Sequence, residues 1–408
     1  MRLVYFLLLF SIILCNYRLH KDLLHPIFLS CITWFLFPLF YEYLCITNDR
    51  YWVLSDKFYY YVSLYLIPFV LLSIVIIGDY KGKKKKDLII KFSNTKYSYT
   101  TGIINFCIFC NIILIGRILL LCHTFSIIKA ISVFRVITTE KRYLITSDIL
   151  LLLYIFSITP PLCCYIFLSK IKIHRVKMLI LLLEFVLITI LYVSKGRIMK
   201  HFIMIFSILL LRKKMNLKTI IICLSFCFAL VFFMTIIRDK NFMSSFSFWD
   251  YLYVYFLSPL PAFDMLINDF IPYETGPFGG RVLGFFYRLF SRLIGTPVPT
   301  YSKMFITIPA KVGRVPTNVY TCFGNTYMDF GAIGILMFGI FTAIIFSTSY
   351  KLSFYYNKVE FRIFYILIIY CLIFQFFGDF FFQFLSMPIQ DFLCAILVVK
   401  MIKTRMIK

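Results

Sequence analysis

The chain has 408 residues, of which 61% are hydrophobic, 20% aromatic and only 15% charged, whereas a soluble domain is roughly 45–50% apolar and about 25% charged. No aqueous globular core absorbs that much apolar surface, which argues against soluble enzymes and disulfide scaffolds, and the long uninterrupted runs do not alternate as barrel strands do. The formal charge of +25 would suit a nucleic acid, but its distribution reads as membrane sidedness.

The apolar runs are mostly about 17 to 25 residues long, the length a helix needs to cross a hydrocarbon layer roughly 30 Å thick. The expected fold class is therefore all-α, a polytopic transmembrane helical bundle of about 11 spans. The predicted spans fall at residues 2–16, 27–46, 58–78, 102–122, 144–169, 178–194, 198–211, 219–237, 331–349, 363–384 and 389–402. The first reads as an uncleaved span, because Asn16, Tyr17 and Arg18 follow it and no small-residue cleavage site does. The fourth contains Arg117, an expensive charge that calls for a partner such as Glu184, Glu42 or Asp379, or for a short reach to the outer face. In the short seventh run, Lys200 and His201 lie in the first turn, from which the lysine is expected to snorkel to the interface. The cysteines read as small hydrophobes, except Cys322 in a polar segment, and the pair Cys107 and Cys110 sits mid-span and suggests neither metal nor redox chemistry.

Sidedness follows from Lys and Arg in the short connections. The run Lys83 to Lys86 places the loop after the third span in the cytoplasm, and alternation then puts 24 basic residues in cytoplasmic segments against 10 in short outer ones. The expected arrangement has an outer N-terminus, a cytoplasmic C-terminus and three parts: an N-terminal bundle 1–237, an extracytoplasmic loop 238–330 and C-terminal spans 331–408. Within the loop, Tyr251 to Ile267 is apolar but interrupted by Pro259, Pro261 and Asp264, so it reads as interfacial or re-entrant. Further on, Val282, Phe285, Phe286, Leu289, Phe290 and Leu293 recur with the period of an amphipathic helix. At 100° per residue Arg281, Arg288 and Arg292 then fall within about 40° of one another. Such a helix is expected to lie along the outer membrane surface with guanidinium groups at headgroup depth.

The loop has no histidine, and the chain has no Walker loop, GxGxxG, HExxH or DxD. No metal or cofactor is therefore expected. Arginines, tyrosines and a few carboxylates remain, a set suited to a diphosphate, since guanidinium offers a planar fork matched to phosphate oxygens. Arg197 and Arg238 stand at span ends on the same outer side.

The most specific string runs from Gly313 through Arg314, Val315, Pro316, Thr317, Asn318, Val319, Tyr320 and Thr321 to Phe323-Gly324 and Tyr327-Met328-Asp329-Phe330-Gly331, directly before a span. Here the chain resembles the Wzy family, the O-antigen and oligosaccharide repeat-unit polymerases of Gram-negative bacteria, and the span count, long late loop and Gly196-Arg197 resemble it too. The resemblance implies glycosyl transfer at the periplasmic face of the inner membrane. A glycan on undecaprenyl diphosphate moves to the next lipid-linked repeat, with a flippase and a chain-length regulator as membrane partners. On that reading Arg314 and Arg281 stabilise the departing diphosphate, Asp329 is the base, chosen over Asp264, Asp269 and Glu274, and Arg197, Arg238, Arg288, Asn318, Tyr320 and Tyr327 bind substrate. The rivals are an O-antigen ligase, which would carry a histidine in the loop, and a flippase, which would have mainly short loops and internal repeats. The three glycines Gly324, Gly331 and Gly334 would also serve simply to turn the chain into a packed helix.

Overall fold

The computed structural model describes residues 2–78, 97–124, 126–139, 144–169, 174–191, 195–212, 253–274, 276–295, 297–299, 301, 306–310 and 313–403. The expected eighth span 219–237, the Lys83 to Lys86 run and Arg238 lie outside these. In chain order the elements are α1 (Arg2–His20), α2 (Pro26–Thr47), α3 (Asp56–Ile77), α4 (Tyr97–Leu121), α5 (Ile127–Thr139), α6 (Ser147–Phe156), α7 (Thr159–Ser169), α8 (Arg175–Leu191), α9 (Lys195–Leu211), a π turn (Tyr253–Leu257), α10 (Pro259–Ile267), α11 (Gly284–Ile294), β1 (Ile306–Ala310), β2 (Gly313–Thr317), α12 (Gly324–Phe354), α13 (Val359–Ile368), α14 (Tyr370–Ile373) and α15 (Ser386–Lys403). Among the described residues six stretches are long and apolar enough to cross a bilayer: α1, α2, α3, residues 100–121 of α4, α6 with α7, and α12. This is a helical membrane protein. At 1.5 Å per residue, the 22 residues of α2 or α3 reach about 33 Å.

The chain forms two compact units that interleave along the sequence, 1–83 with 245–351 and 371–388, and 84–244 with 352–370 and 389–408. The first unit gathers α1, α2, α3, α10, the hairpin and most of α12. Its interior is aromatic: Phe323 stacks on Trp34 with centroids 4.8 Å apart and meets Tyr65 at 5.1 Å and Phe263 at 5.6 Å. Gln375 lies buried beside it. Its Oε1 accepts from Ser30 Oγ at 3.0 Å and Trp34 Nε1 at 3.1 Å, and its Nε2 donates to Tyr65 Oη at 2.5 Å.

Those bonds explain where one expected span fails. Residues 363–384 do not form one helix: α13 stops at Ile368, α14 at Ile373, and residues 374–385 are irregular. Asp379 accepts backbone N–H groups from Phe381, Phe382 and Gln383 at 2.8–3.0 Å, Cys322 donates its N–H to the Gln375 carbonyl, and Thr321 bridges Gly378. Polar partners supplied by side chains and a neighbouring segment replace helical bonds, the condition for irregular backbone away from water. Of the apolar stretch 251–267, the described residues form a π turn and the nine-residue α10, which by itself is about 14 Å long. Almost every residue of α10 is buried.

The second unit packs α4 to α9 with α13 and α15 around Leu114, Phe134, Leu162, Phe185, Ile363 and Val398. Between the predicted spans 102–122 and 144–169 the chain forms helix α5. The fifth span is interrupted after Phe156, just ahead of Pro160 and Pro161, whose rings and missing N–H groups disfavour a continuous ladder. Two charges also differ from expectation. Arg117 pairs with Asp148, Nε to Oδ2 at 2.6 Å, with both side chains almost half exposed, and takes none of the partners weighed for it. Lys200 does not snorkel: it is buried and salt-bridged to Asp391 of α15, because that carboxylate offers a charge partner inside the unit.

Candidate functional site

The conspicuous polar constellation of the first unit is built at residues 274–301 and 329. Asp329, in the opening turns of α12, uses Oδ2 to accept the backbone N–H of Arg281 and of Val282, each at 2.9 Å. This pins the turn before α11. The Arg281 guanidinium lies over the Tyr301 ring, 3.9 Å from its centroid, and donates from Nη2 to the Glu274 carbonyl at 2.9 Å. Of its five N–H donors, one is engaged in these bonds, and the group is partly exposed.

Tyr301 was not legible as a site residue. Its ring occupies the space that side chains at Gly276 and Gly280 would need, so a methyl at either would overlap it. Tyr301 Oη is buried and has no hydrogen-bond partner. Burial and the Asp329 carboxylate raise the Tyr301 phenol above its usual range, with Arg281 acting the other way. Tyr320 responds to the same guanidinium: burial pushes it up to about 12, and Arg281 opposes the shift.

The amphipathic helix forms, but later than its apolar period suggests. α11 starts at Gly284, so Arg281 and Val282 belong to the pinned turn, and Arg281 leaves the stripe it was expected to share with Arg288 and Arg292. Two N–H bonds to Asp329 compete with helical geometry at that point. No residue of α11 is buried; Phe290, Leu293 and Ile294 are 50–70% exposed, and Arg288 is exposed as well. Gly295 closes the helix with a left-handed φ of 72°, which glycine adopts without penalty.

The motif residues take several roles. Gly313 to Thr317 form β2, paired antiparallel with β1 so that Arg314 lies opposite Pro309; the side chain of Arg314 is outside the described residues. The expected all-α fold thus acquires one hairpin, with Ile306 and Ile308 buried and Thr307 exposed in a strand's alternation. Asn318 is exposed, while Tyr320 is buried. Tyr327 packs edge-on against Tyr61, at 5.4 Å, and Phe263. Gly331 has φ 60° and ψ −146°, a kink inside α12 that a side chain would strain. Arg197, partly buried, stands in the first turn of α9 in the second unit. The structure therefore brings Arg281, Asp329, Tyr320 and Tyr301 together and leaves Asn318, Arg288 and Tyr327 in other settings.

The other carboxylates weighed as the base, Asp264, Asp269 and Glu274, are occupied or exposed. Asp264 is fully buried and accepts from Trp52 Nε1 at 2.7 Å, Ser55 N at 3.1 Å, Ser55 Oγ at 2.5 Å and Asn268 Nδ2 at 3.2 Å; Asp269 and Glu274 are exposed. Asp329 can be tested directly. If it positions Arg281, Asp329→Asn keeps an oxygen for both N–H groups and retains most function, whereas Asp329→Ala releases the turn. Equal losses in the two variants, measured at matched membrane levels, would instead mark the carboxylate as the reacting base.

Fold and site together define a helical membrane protein in which Arg281 is held on a turn pinned by Asp329 and stacked on Tyr301. Comparison with protein families, curated proteins and solved structures gives no match.

Proposed function

We propose that the chain is a repeat-unit polymerase of the Wzy kind, a membrane glycosyltransferase acting at the periplasmic face of the bacterial inner membrane, with its N-terminus periplasmic and its C-terminus cytoplasmic. The single observation that carries the reading is a guanidinium held ready on a pinned turn: Arg281 is stacked on Tyr301 and braced by the Glu274 carbonyl, within the segment whose 313–331 string resembles these polymerases. In the reaction an acceptor hydroxyl attacks the anomeric carbon, the bond from that carbon to the diphosphate oxygen breaks, and the acceptor proton passes to a base, the role that the Asp329 variants test. Charge grows on undecaprenyl diphosphate as it departs. Fixed cations that meet that charge in the transition state lower the barrier, the task assigned to Arg281 and Arg314. The exposed apolar face of α11 with Arg288 suits lipid and phosphate at headgroup depth, and a flippase and chain-length regulator are the membrane partners of such an enzyme.

The test is the lipopolysaccharide of a clean gene deletion. Loss of a polymerase leaves single repeats flipped and ligated, so lipid A-core should carry one repeat and no ladder. Bare core, restored to a ladder by complementation, would instead indicate a ligase or flippase and end this reading.

A further inference from the structure

Within the second unit, α8 carries a carboxyl group that the proposed chemistry does not use. Glu184 is 7% exposed, and Arg117, for which it was weighed as a partner, is bound to Asp148 instead. It has one long hydrogen bond, from Asn111 Nδ2 to Oε2 at 3.3 Å, and its Oε1 is buried with no hydrogen-bond partner. Other buried carboxylates are compensated far better: Asp391 by Lys200, and Asp379 by three backbone N–H groups.

Among the described residues, the groups around Glu184 offer no cation in exchange. α4 supplies Asn111 and the buried thiol of Cys107. From α9, His201 packs its ring 4.3 Å from Phe185 and is hydrogen-bonded to Thr189; on α5, Lys129 is exposed. A carboxylate taken from water with one weak donor costs many kcal/mol, while a neutral acid forgoes about one hydrogen bond, roughly 1–3 kcal/mol. The neutral acid wins by that margin. Asn111 serves either state, because its amide donates to the anion or, turned over, accepts the acid's O–H through Oδ1. Access comes from the helix edge: Ile180 and Leu183 are 38% and 61% exposed, while Leu181, Phe185 and Ile188 are buried.

We propose that Glu184 is a proton-binding carboxyl inside the helical bundle, held as the neutral acid at neutral pH and open to the lipid-facing edge of α8, and therefore a modification site for hydrophobic carbodiimides. Intramembrane ionisable groups of this kind are where membrane proteins take up and release protons. In the modification, the carboxyl proton passes to a carbodiimide nitrogen as the carboxyl oxygen adds to the central carbon. The O-acylisourea then rearranges to a stable N-acylurea, with no atom lost and no redox partner.

Membranes containing the full-length protein are treated with dicyclohexylcarbodiimide or, in parallel, with a water-soluble carbodiimide and an amine, and the adducts are mapped by mass spectrometry. The hydrophobic reagent should modify Glu184 at neutral pH, with a yield that falls severalfold toward alkaline pH. The water-soluble reagent should label exposed Glu274 and leave Glu184 unmodified. Glu184→Gln should abolish the adduct and Glu184→Asp should keep one at the same position. An unmodified Glu184 in intact protein, equal labelling by the water-soluble reagent, or a yield indifferent to pH would overturn the proposal. Because the readout is an adduct on the wild-type chain, it stands or falls apart from the polymerase reading.

Discussion

Arg281→Ala is expected to shorten the polysaccharide ladder to one or two repeats. A charge-assisted contact made mainly in the transition state is worth on the order of 2 to 4 kcal/mol, enough to slow chain growth roughly 30-fold to 1000-fold. Stacking on Tyr301 holds the guanidinium plane, and the Glu274 carbonyl fixes one edge, so the remaining donors meet phosphate oxygens without first being ordered. Arg281→Lys keeps the charge but loses the fork and the planar stack, and should recover activity only in part. Arg281→Gln should behave like alanine. Arg314, in the motif strand, is expected to follow the same order among its Ala, Lys and Gln variants. A residue that merely anchors the loop at the surface would tolerate lysine and glutamine alike, and full-length ladders from Arg281→Ala at matched membrane levels would return it to that role.

How much of this was readable in the sequence depends on how local the cause is. Span-length apolar runs are legible because bilayer thickness sets one scale for all of them, and α1, α2, α3, α4 and α12 fall where the runs do. The break in residues 363–384 was hidden, since Gln375 and Asp379 are two polar residues in an apolar run and their partners, Trp34 and Tyr65 among them, are remote in sequence. Amphipathic periodicity found α11 but placed its start too early, because the pinning carboxylate of Asp329 is 48 residues away from Arg281. The motif marked Asp329 as notable without revealing that it binds backbone. Tyr301 left only an indirect trace, the glycines Gly276 and Gly280 that make room for its ring. The hairpin was masked by Pro309, Pro316 and Gly313, residues that read as loop.

The buried pair of Lys200 and Asp391, 191 residues apart in sequence, carries the largest expected effect on stability. Their side chains are only 5% and 7% exposed, and removing one member of such a pair leaves an uncompensated charge, at a cost of about 3–5 kcal/mol. The two single changes should not be equal. In Lys200→Met the remaining Asp391 still feels Arg197 on the same helix, which offsets part of the loss. In Asp391→Leu the ammonium of Lys200 keeps Arg197 near it on α9 but has lost its carboxylate, so two like charges share one end of the helix and the loss should be greater. Lys200→Met with Asp391→Leu removes both charges and substitutes apolar groups, a change that is often neutral or stabilising in a buried setting. Thermal unfolding of the four proteins in one detergent gives the double-mutant cycle. The pair matters as described if both single variants lose stability, Asp391→Leu the more, and the double variant recovers most of it; additive losses in the double variant would show that the two side chains act independently.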